Sequence, residues 1–235
     1  MTFKIKNWKL ALLALFFICL FASLCNWQLS RAKQKEALLA SFTERTKAAP
    51  LSASALDQNS DLRFFRTNLS GRFDNEHTFL LDNKIFHGTI GYEVYTLFFA
   101  DGLKPPILID RGFVPITKSR GELPVIKPIT GHITVSGMLN HPPAYVALGA
   151  ISESTQANWP LRVEYIDRRE LSNLLNMNIF PFVLLLNQKH LAAYDVEWQV
   201  VTMNPERHRG YALQWFAFAL TLLILFVVLN IERAA

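Results

Sequence analysis

Residues 10–29 and 211–229 of this 235-residue chain contain no charged side chain. Each stretch is long enough to cross the roughly 30 Å hydrocarbon core of a bilayer as a helix. Two such segments constrain the fold before any other feature is considered, because a small soluble domain cannot hide both. A cleaved signal peptide is a poor reading of the first. Its apolar core gives way to Asn26-Trp27-Gln28 rather than to a small-residue cleavage site. Two spans place both termini on one side of the membrane and the intervening chain on the other.

Charge alone does not orient the chain, since Lys4, Lys6 and Lys9 before the first span are balanced by Arg31, Lys33 and Lys35 after it. The long middle stretch translocates largely regardless of its charge, and the short basic tail favours cytoplasmic termini. The expected organisation is a cytoplasmic tail (1–9), a first transmembrane helix (10–29), a helical extension and linker (30–60), a β-rich extracytoplasmic domain (61–207), a second transmembrane helix (208–230) and a cytoplasmic tail (231–235).

The formal charge of +5 is modest, and much of it flanks the apolar segments, where lipid headgroups are the nearest anions. Membrane lipid, not nucleic acid, is the expected partner of these cations. Cys19 and Cys25 both lie in the first apolar segment, so the middle domain has no cysteine for a disulfide, a zinc site or a thiol nucleophile. The histidines show no zincin spacing, and no nucleophile elbow, phosphate loop or dinucleotide fingerprint occurs. A chain with this inventory is expected not to be an enzyme.

From residue 30 to about 47 the chain is rich in Ala, Lys, Arg, Glu and Leu, so the first helix is expected to continue into water until Ala49-Pro50 stops it. Short β-branched and aromatic runs follow at 64–69, 78–81, 90–99, 106–109, 133–138, 161–166, 182–186 and 196–201, with turns at Asp82-Asn83, Asp101-Gly102 and Gly121. This pattern predicts two transmembrane helices flanking a β-rich α+β extramembrane domain, built on an antiparallel sheet or partly closed barrel. Asp167-Arg168-Arg169-Glu170 predicts a capped short helix running to Leu175.

Where the chain enters the second span, His208, Tyr211, Ala212 and Trp215 recur at helical spacing, giving one stripe with a metal ligand, two aromatics and a small residue. Such a stripe suits a flat macrocycle with His208 on its iron. Near the same membrane surface Trp27, Arg31 and Lys35 repeat at i, i+4 and i+8, and the two cations suit carboxylates. The same residue types also anchor helices in the headgroup zone, and composition leaves both readings open. At the membrane surface, His208 is expected to contribute little packing.

The fragments Trp27-Gln28-Leu29-Ser30-Arg31 with Lys35, Gly71-Arg72-Phe73, Leu81-Asp82-Asn83, Gly91-Tyr92, Ile107-Leu108-Ile109-Asp110-Arg111-Gly112-Phe113-Val114-Pro115, Asn158-Trp159-Pro160 and His208-Arg209-Gly210-Tyr211-Ala212-Leu213-Gln214-Trp215-Phe216 stand in this order between the two spans. In that order they resemble the signature of the Surfeit-locus cytochrome c oxidase assembly proteins. The resemblance implies a multi-pass protein of the bacterial inner membrane with its domain in the periplasm, or of the mitochondrial inner membrane in a eukaryote. It implies an assembly factor that binds haem a and aids its delivery to, or stabilisation in, the largest subunit of the haem-copper oxidase. Haem a synthase is a further implied partner.

Carried onto this chain, the family's closing motif makes His208 the iron ligand; the two helical stripes add Tyr211, Trp215, Trp27, Arg31 and Lys35 around the cofactor. The alternative is a membrane-anchored scaffold that stabilises an oxidase subunit without touching haem. One motif departs from the family pattern: Asp110-Arg111-Gly112-Phe113 stands where Asn-Arg-Gly-Trp is common. The plain reading of Arg111-Gly112 is a strand-ending turn, with glycine taking a conformation closed to other residues and arginine bonding nearby carbonyls.

Overall fold

The computed structural model describes residues 2–3, 5, 7–56, 61–116, 121–147, 149–151, 159–198, 200 and 203–232. Lys4, Lys6, Asn158, the last part of the expected 196–201 strand and the end of the C-terminal tail lie outside them. The chain divides into two compact units, one of residues 1–42 with 199–235 and one of residues 43–198.

In the first unit, β1 (Thr2–Phe3) pairs antiparallel with a two-residue strand at Ile231–Glu232, and between them run the long helices. Helix α1 (Trp8–Lys47) begins where the Asn7 side chain accepts bonds from the Lys9 and Leu10 amides at 3.0 and 3.3 Å. It ends ahead of Ala49-Pro50, as expected, because proline disfavours the helical region for the residue before it. The final helix, Pro205–Asn230, starts with proline in its first turn, where the missing amide proton costs nothing. Both helices are long and apolar enough to cross a membrane.

On α1 the less exposed positions include Ala11, Ala14, Ile18, Phe21, Leu24, Gln28 and Ala32; on the final helix they are Pro205, His208, Ala212, Trp215, Ala219, Leu222 and Phe226. These three- and four-residue steps are those of a coiled-coil seam. The two stripes face each other antiparallel: Phe21 stacks on Trp215 at 5.6 Å while Gln28 meets His208. Away from the seam, Leu12, Leu13, Phe16, Leu223, Ile224 and Val228 are exposed.

The second unit contains α2 (Ala53–Leu56), β2 (Arg66–Phe86), β3 (Thr89–Ala100), β4 (Ile107–Pro115), β5 (Ile133–Asn140), β6 (Leu161–Val163), α3 (Arg168–Leu175) and β7 (Val183–Leu186). The final helix is α4 and the strand that follows it is β8. The sheet runs β3-β4-β7-β5-β2-β6, and a further β2–β3 pairing closes five of its strands into a ring. Most pairings are antiparallel, as expected, but β4–β7 and β2–β6 are parallel, so the sheet is mixed.

Ring closure depends on β2, which pairs with β5 through Arg66–Gly71 and with β3 from Gly71 onward. At the crossing point β3 comes so close that a Cβ on Gly71 would lie 2.0 Å from the Phe99 carbonyl oxygen. The expected break at Asp82-Asn83 is instead a bulge inside this single long strand, with Asn83 at φ 58° and the pairing shifted between Leu81 and Lys84. The hairpin turn lies at His87-Gly88, both at positive φ, the form that suits the twist of a two-residue connection.

Successive residues of a strand face opposite sides, and here both sides are buried. Ile107, Ile109, Leu184 and Leu186 enter one core with Leu69, Phe98, Val135 and Leu139. Leu108, Val183 and Leu185 enter a second with Phe79, Leu97, Leu161, Ile166 and Leu171 of α3. That explains the uninterrupted apolar runs of β4 and β7, which lie side by side in parallel. The expected cap of α3 is formed by Asp167, which accepts from the Arg169 and Glu170 amides at 2.9 and 3.0 Å. Glu170 does not close the capping box; its carboxylate accepts from the Tyr165 hydroxyl at 2.9 Å.

Candidate functional site

His208 lies one turn into α4, and the residue is buried to 8% exposure. This corrects the expectation of a lightly packed surface imidazole. Its Nδ1 is 2.7 Å from Oε1 of Gln28 on α1. An amide oxygen only accepts, so Nδ1 carries a proton, and the neutral tautomer that this bond selects has its lone pair on Nε2. Among the described residues Nε2 has no hydrogen-bond partner. Ala32 and Ala212, each 2% exposed, are also buried along the seam, where small side chains let two helix backbones approach.

The remaining sequence candidates divide by face. Trp215 is half-buried, stacked on Phe21 and edge-on to Phe218 at 5.8 Å. Tyr211, 47% exposed, points away, because three residues on from His208 a helix has turned about 60° off the seam. Trp27 is exposed for a similar reason, lying about 100° from Gln28. Arg31 is exposed and donates from Nη1 to Gln34 Oε1 at 3.0 Å, and Lys35 is half-buried.

Two further residues complete the site. Gln28 is one that the sequence marks only as an amide, beside Asn26, near the end of an apolar run. Glu36 meets Arg209, whose Nη2 lies 2.6 Å from Glu36 Oε1. That oxygen is buried and not aligned for a hydrogen bond, so the contact is an ion pair by proximity. Among the described residues no three His, Cys, Asp or Glu side chains gather as a metal site, and Cys19 and Cys25 are unbridged. The chemistry offered is therefore that of one oriented imidazole, which suits a single axial bond to a haem iron and not the caging of a bare ion.

The Asp110-Arg111-Gly112-Phe113 motif lies inside β4 at a break in its pairing with β3, not at a strand end. Gly112 sits at φ 104°, and a Cβ there would lie 2.6 Å from the Asp195 carbonyl oxygen. Arg111 does bond carbonyls, as expected: Nε donates to Ala192 O at 3.0 Å and Nη2 approaches Lys127 O at 3.4 Å. Burial lowers its pKa, opposed in part by the Tyr194 hydroxyl. Asp110, on the other strand face, accepts from the Gly112 amide at 3.1 Å. Burial first, and the Glu93 carboxylate second, push the Asp110 carboxyl well above the usual carboxylate range. Burial also raises the Tyr95 hydroxyl, which bonds both acids, while Lys84 pairs with Glu93 at 3.1 Å.

The model of the SURF1 family matches residues 15–220. The chain is 23% identical over 230 residues to a SURF1-like protein of Rickettsia felis, covering 94% of this chain and 96% of that protein. It is likewise 23% identical to a SURF1-like protein of Rickettsia prowazekii and 24% identical to one of Rickettsia bellii, over 94% and 93% of this chain and 89% and 88% of those proteins. With the ordered motifs and the two apolar helices around a mixed sheet, a match over most of its length means that this chain belongs to the SURF1 family.

Proposed function

We propose that this protein is an assembly factor for a haem-copper cytochrome c oxidase, that it crosses the bacterial inner membrane twice with its β-rich domain in the periplasm, and that it carries haem a to the largest oxidase subunit. Family membership and the two apolar helices support the assembly and membrane parts of this reading. The haem part rests on one contact, the 2.7 Å bond between His208 and Gln28. Metal-ligating imidazoles characteristically donate their other ring N–H to an oxygen acceptor, which fixes tautomer and ring angle.

Haem a is cargo in this reading, not a resident cofactor, and no catalytic turnover is required of the protein. His208 would hold the iron through Nε2. Arg31 and Lys35, about one and two turns beyond Gln28 on α1, would meet the propionates, with Trp27, Tyr211 and Trp215 as aromatic neighbours. A single neutral ligand holds iron loosely enough for hand-over. Haem a synthase is the matching donor.

The burial of His208 favours a second reading, in which its bond to Gln28 only clamps the helices and the protein scaffolds an oxidase subunit without haem. Purification from cells that make haem a, followed by a visible spectrum, separates the two. The haem reading expects a haem band in the wild type that is largely lost in His208→Ala. A haem-free wild type that still supports oxidase assembly leaves the scaffold, and a haem band unchanged in the variant removes His208 as the ligand.

A further inference from the structure

Beside β4, within the β-rich unit, is a cavity of about 290 Å³ whose lining includes Arg111, Glu76, Thr78, Leu123, Ile126 and Trp159. Arg111 is 3% exposed. Besides the two carbonyls, its Nη2 lies 3.4 Å from the Tyr194 hydroxyl, and the guanidinium sits over the Tyr194 and Phe73 rings at 4.8 and 5.6 Å. Among the described residues no carboxylate pairs with it, and Nη1 makes no hydrogen bond. Asp110, its sequence neighbour, projects from the other strand face to Tyr95. A buried cation held only by neutral groups leaves much of its desolvation cost uncompensated.

The cavity is built rather than incidental. Asn75 clamps the segment forming one wall, donating to Ile129 O at 3.0 Å and accepting from Ile129 N at 2.8 Å. The Tyr194 hydroxyl accepts from the Lys127 amide of the same segment at 3.3 Å. Opposite, the Trp159 indole is held edge-on by His77 at 4.7 Å and Phe79 at 5.2 Å. Glu76 is exposed and is the acidic residue of the lining.

The geometry points to a carboxylate-binding site, in which an organic monocarboxylate with an apolar body places its oxygens on Arg111 and its body against Trp159, Leu123 and Ile126. With Nε and Nη2 committed, the unused Nη1 still offers two N–H donors on a permanently charged group, which a carboxylate can accept. Glu76 and Lys127, both exposed, are opposite in sign, so Arg111 leaves the lining one net positive charge, which a monoanion matches. The carboxylate can belong to a small acid or to a polypeptide terminus, since both present the same head.

The test is NMR of the full-length protein in detergent micelles, following the arginine Nε–Hε resonances, with that of Arg111 assigned by its loss in Arg111→Lys. The Nε bond to Ala192 O should keep this signal sharp. Phenylacetate should shift it saturably with a Kd at or below about 10 mM, and phenylacetamide, which lacks the charge, should not. Glu76→Gln, an exposed change that spares the fold, should tighten phenylacetate binding about two- to fivefold by removing a like charge. An acetylated peptide ending in phenylalanine carboxylate, set against its amide, identifies the source: tighter binding of the acid than of phenylacetate assigns a chain terminus, and weaker binding assigns a small acid. Equal shifts with phenylacetamide, or shifts that do not saturate, overturn the site. So does a phenylacetate affinity that Glu76→Gln leaves unchanged.

Discussion

The imidazole of His208 and the amide of Gln28, 180 positions apart in the chain, meet at 2.7 Å across the seam of the two apolar helices. His208 is 8% exposed, so this bond satisfies a donor on a buried residue. Gln28→Leu should leave that donor unpaired and lower helix-pair stability by about 0.6–2 kcal/mol, while Gln28→Glu, which keeps an acceptor, should stay nearer the wild type. Thermal melts by circular dichroism in one detergent check the order. A Gln28→Leu melt equal to the wild type would remove the bond from the stability account.

Glu36 and Arg209 make the charged contact of the same seam, with side-chain exposures of 39% and 60%. Water and salt screen such a pair. A double-mutant cycle with Glu36→Gln and Arg209→Gln should give a coupling of only about 0.2–1 kcal/mol, shrinking as salt is raised. A larger coupling that ignores salt would mean the pair is more enclosed than its exposures indicate.

Asp110 is where a pH effect is expected. Its folded pKa is raised, by burial and then by Glu93, so the folded state holds the proton more tightly than the unfolded chain does. Stability therefore falls as pH rises from the ordinary carboxylate range through the raised folded value. Asp110→Asn keeps an oxygen for the Gly112 amide and removes the ionisation, so it should raise Tm at pH 8 by more than at pH 5. At this chain length each kcal/mol moves Tm by roughly 2–4 °C. A gain that is the same at both pH values would show that ionisation of Asp110 is not the cause.

Gly112→Ala should be among the most damaging single-methyl additions in the domain. The residue sits at φ 104°, and its new Cβ would meet the Asp195 carbonyl and Val196 Cγ2, both at 2.6 Å. Strain and overlap together should cost about 2–4 kcal/mol. Urea unfolding measures it, and a change under about 0.5 kcal/mol would show that β4 shifts freely at this point.

Topology is tested at Gly149, an exposed position where a Cβ would meet nothing within 4 Å. A reporter enzyme active only outside the cytoplasm should work there and fail when fused to either terminus. Activity at the C-terminus would contradict two membrane crossings.

Residues that act on near neighbours were legible in the sequence. The uncharged stretches marked both long helices, Ala49-Pro50 marked the end of α1, and Asp167 marked the start of α3, because apolar periodicity, proline sterics and capping operate within a turn or two. The β-rich character of the middle domain was legible too. What passes between distant segments was not. Asp82-Asn83 reads as a turn locally, yet flanking strands hold it as a bulge, and the real turn falls at His87-Gly88. The ring closes because β2 changes partners at Gly71, which no local pattern announces. Helical spacing grouped His208, Tyr211 and Trp215, but only the partner helix decided that Tyr211 turns out and that Gln28 is the residue facing His208. A hydrogen bond across 180 residues depends on which faces two helices present to each other, and that is settled by packing the whole seam at once.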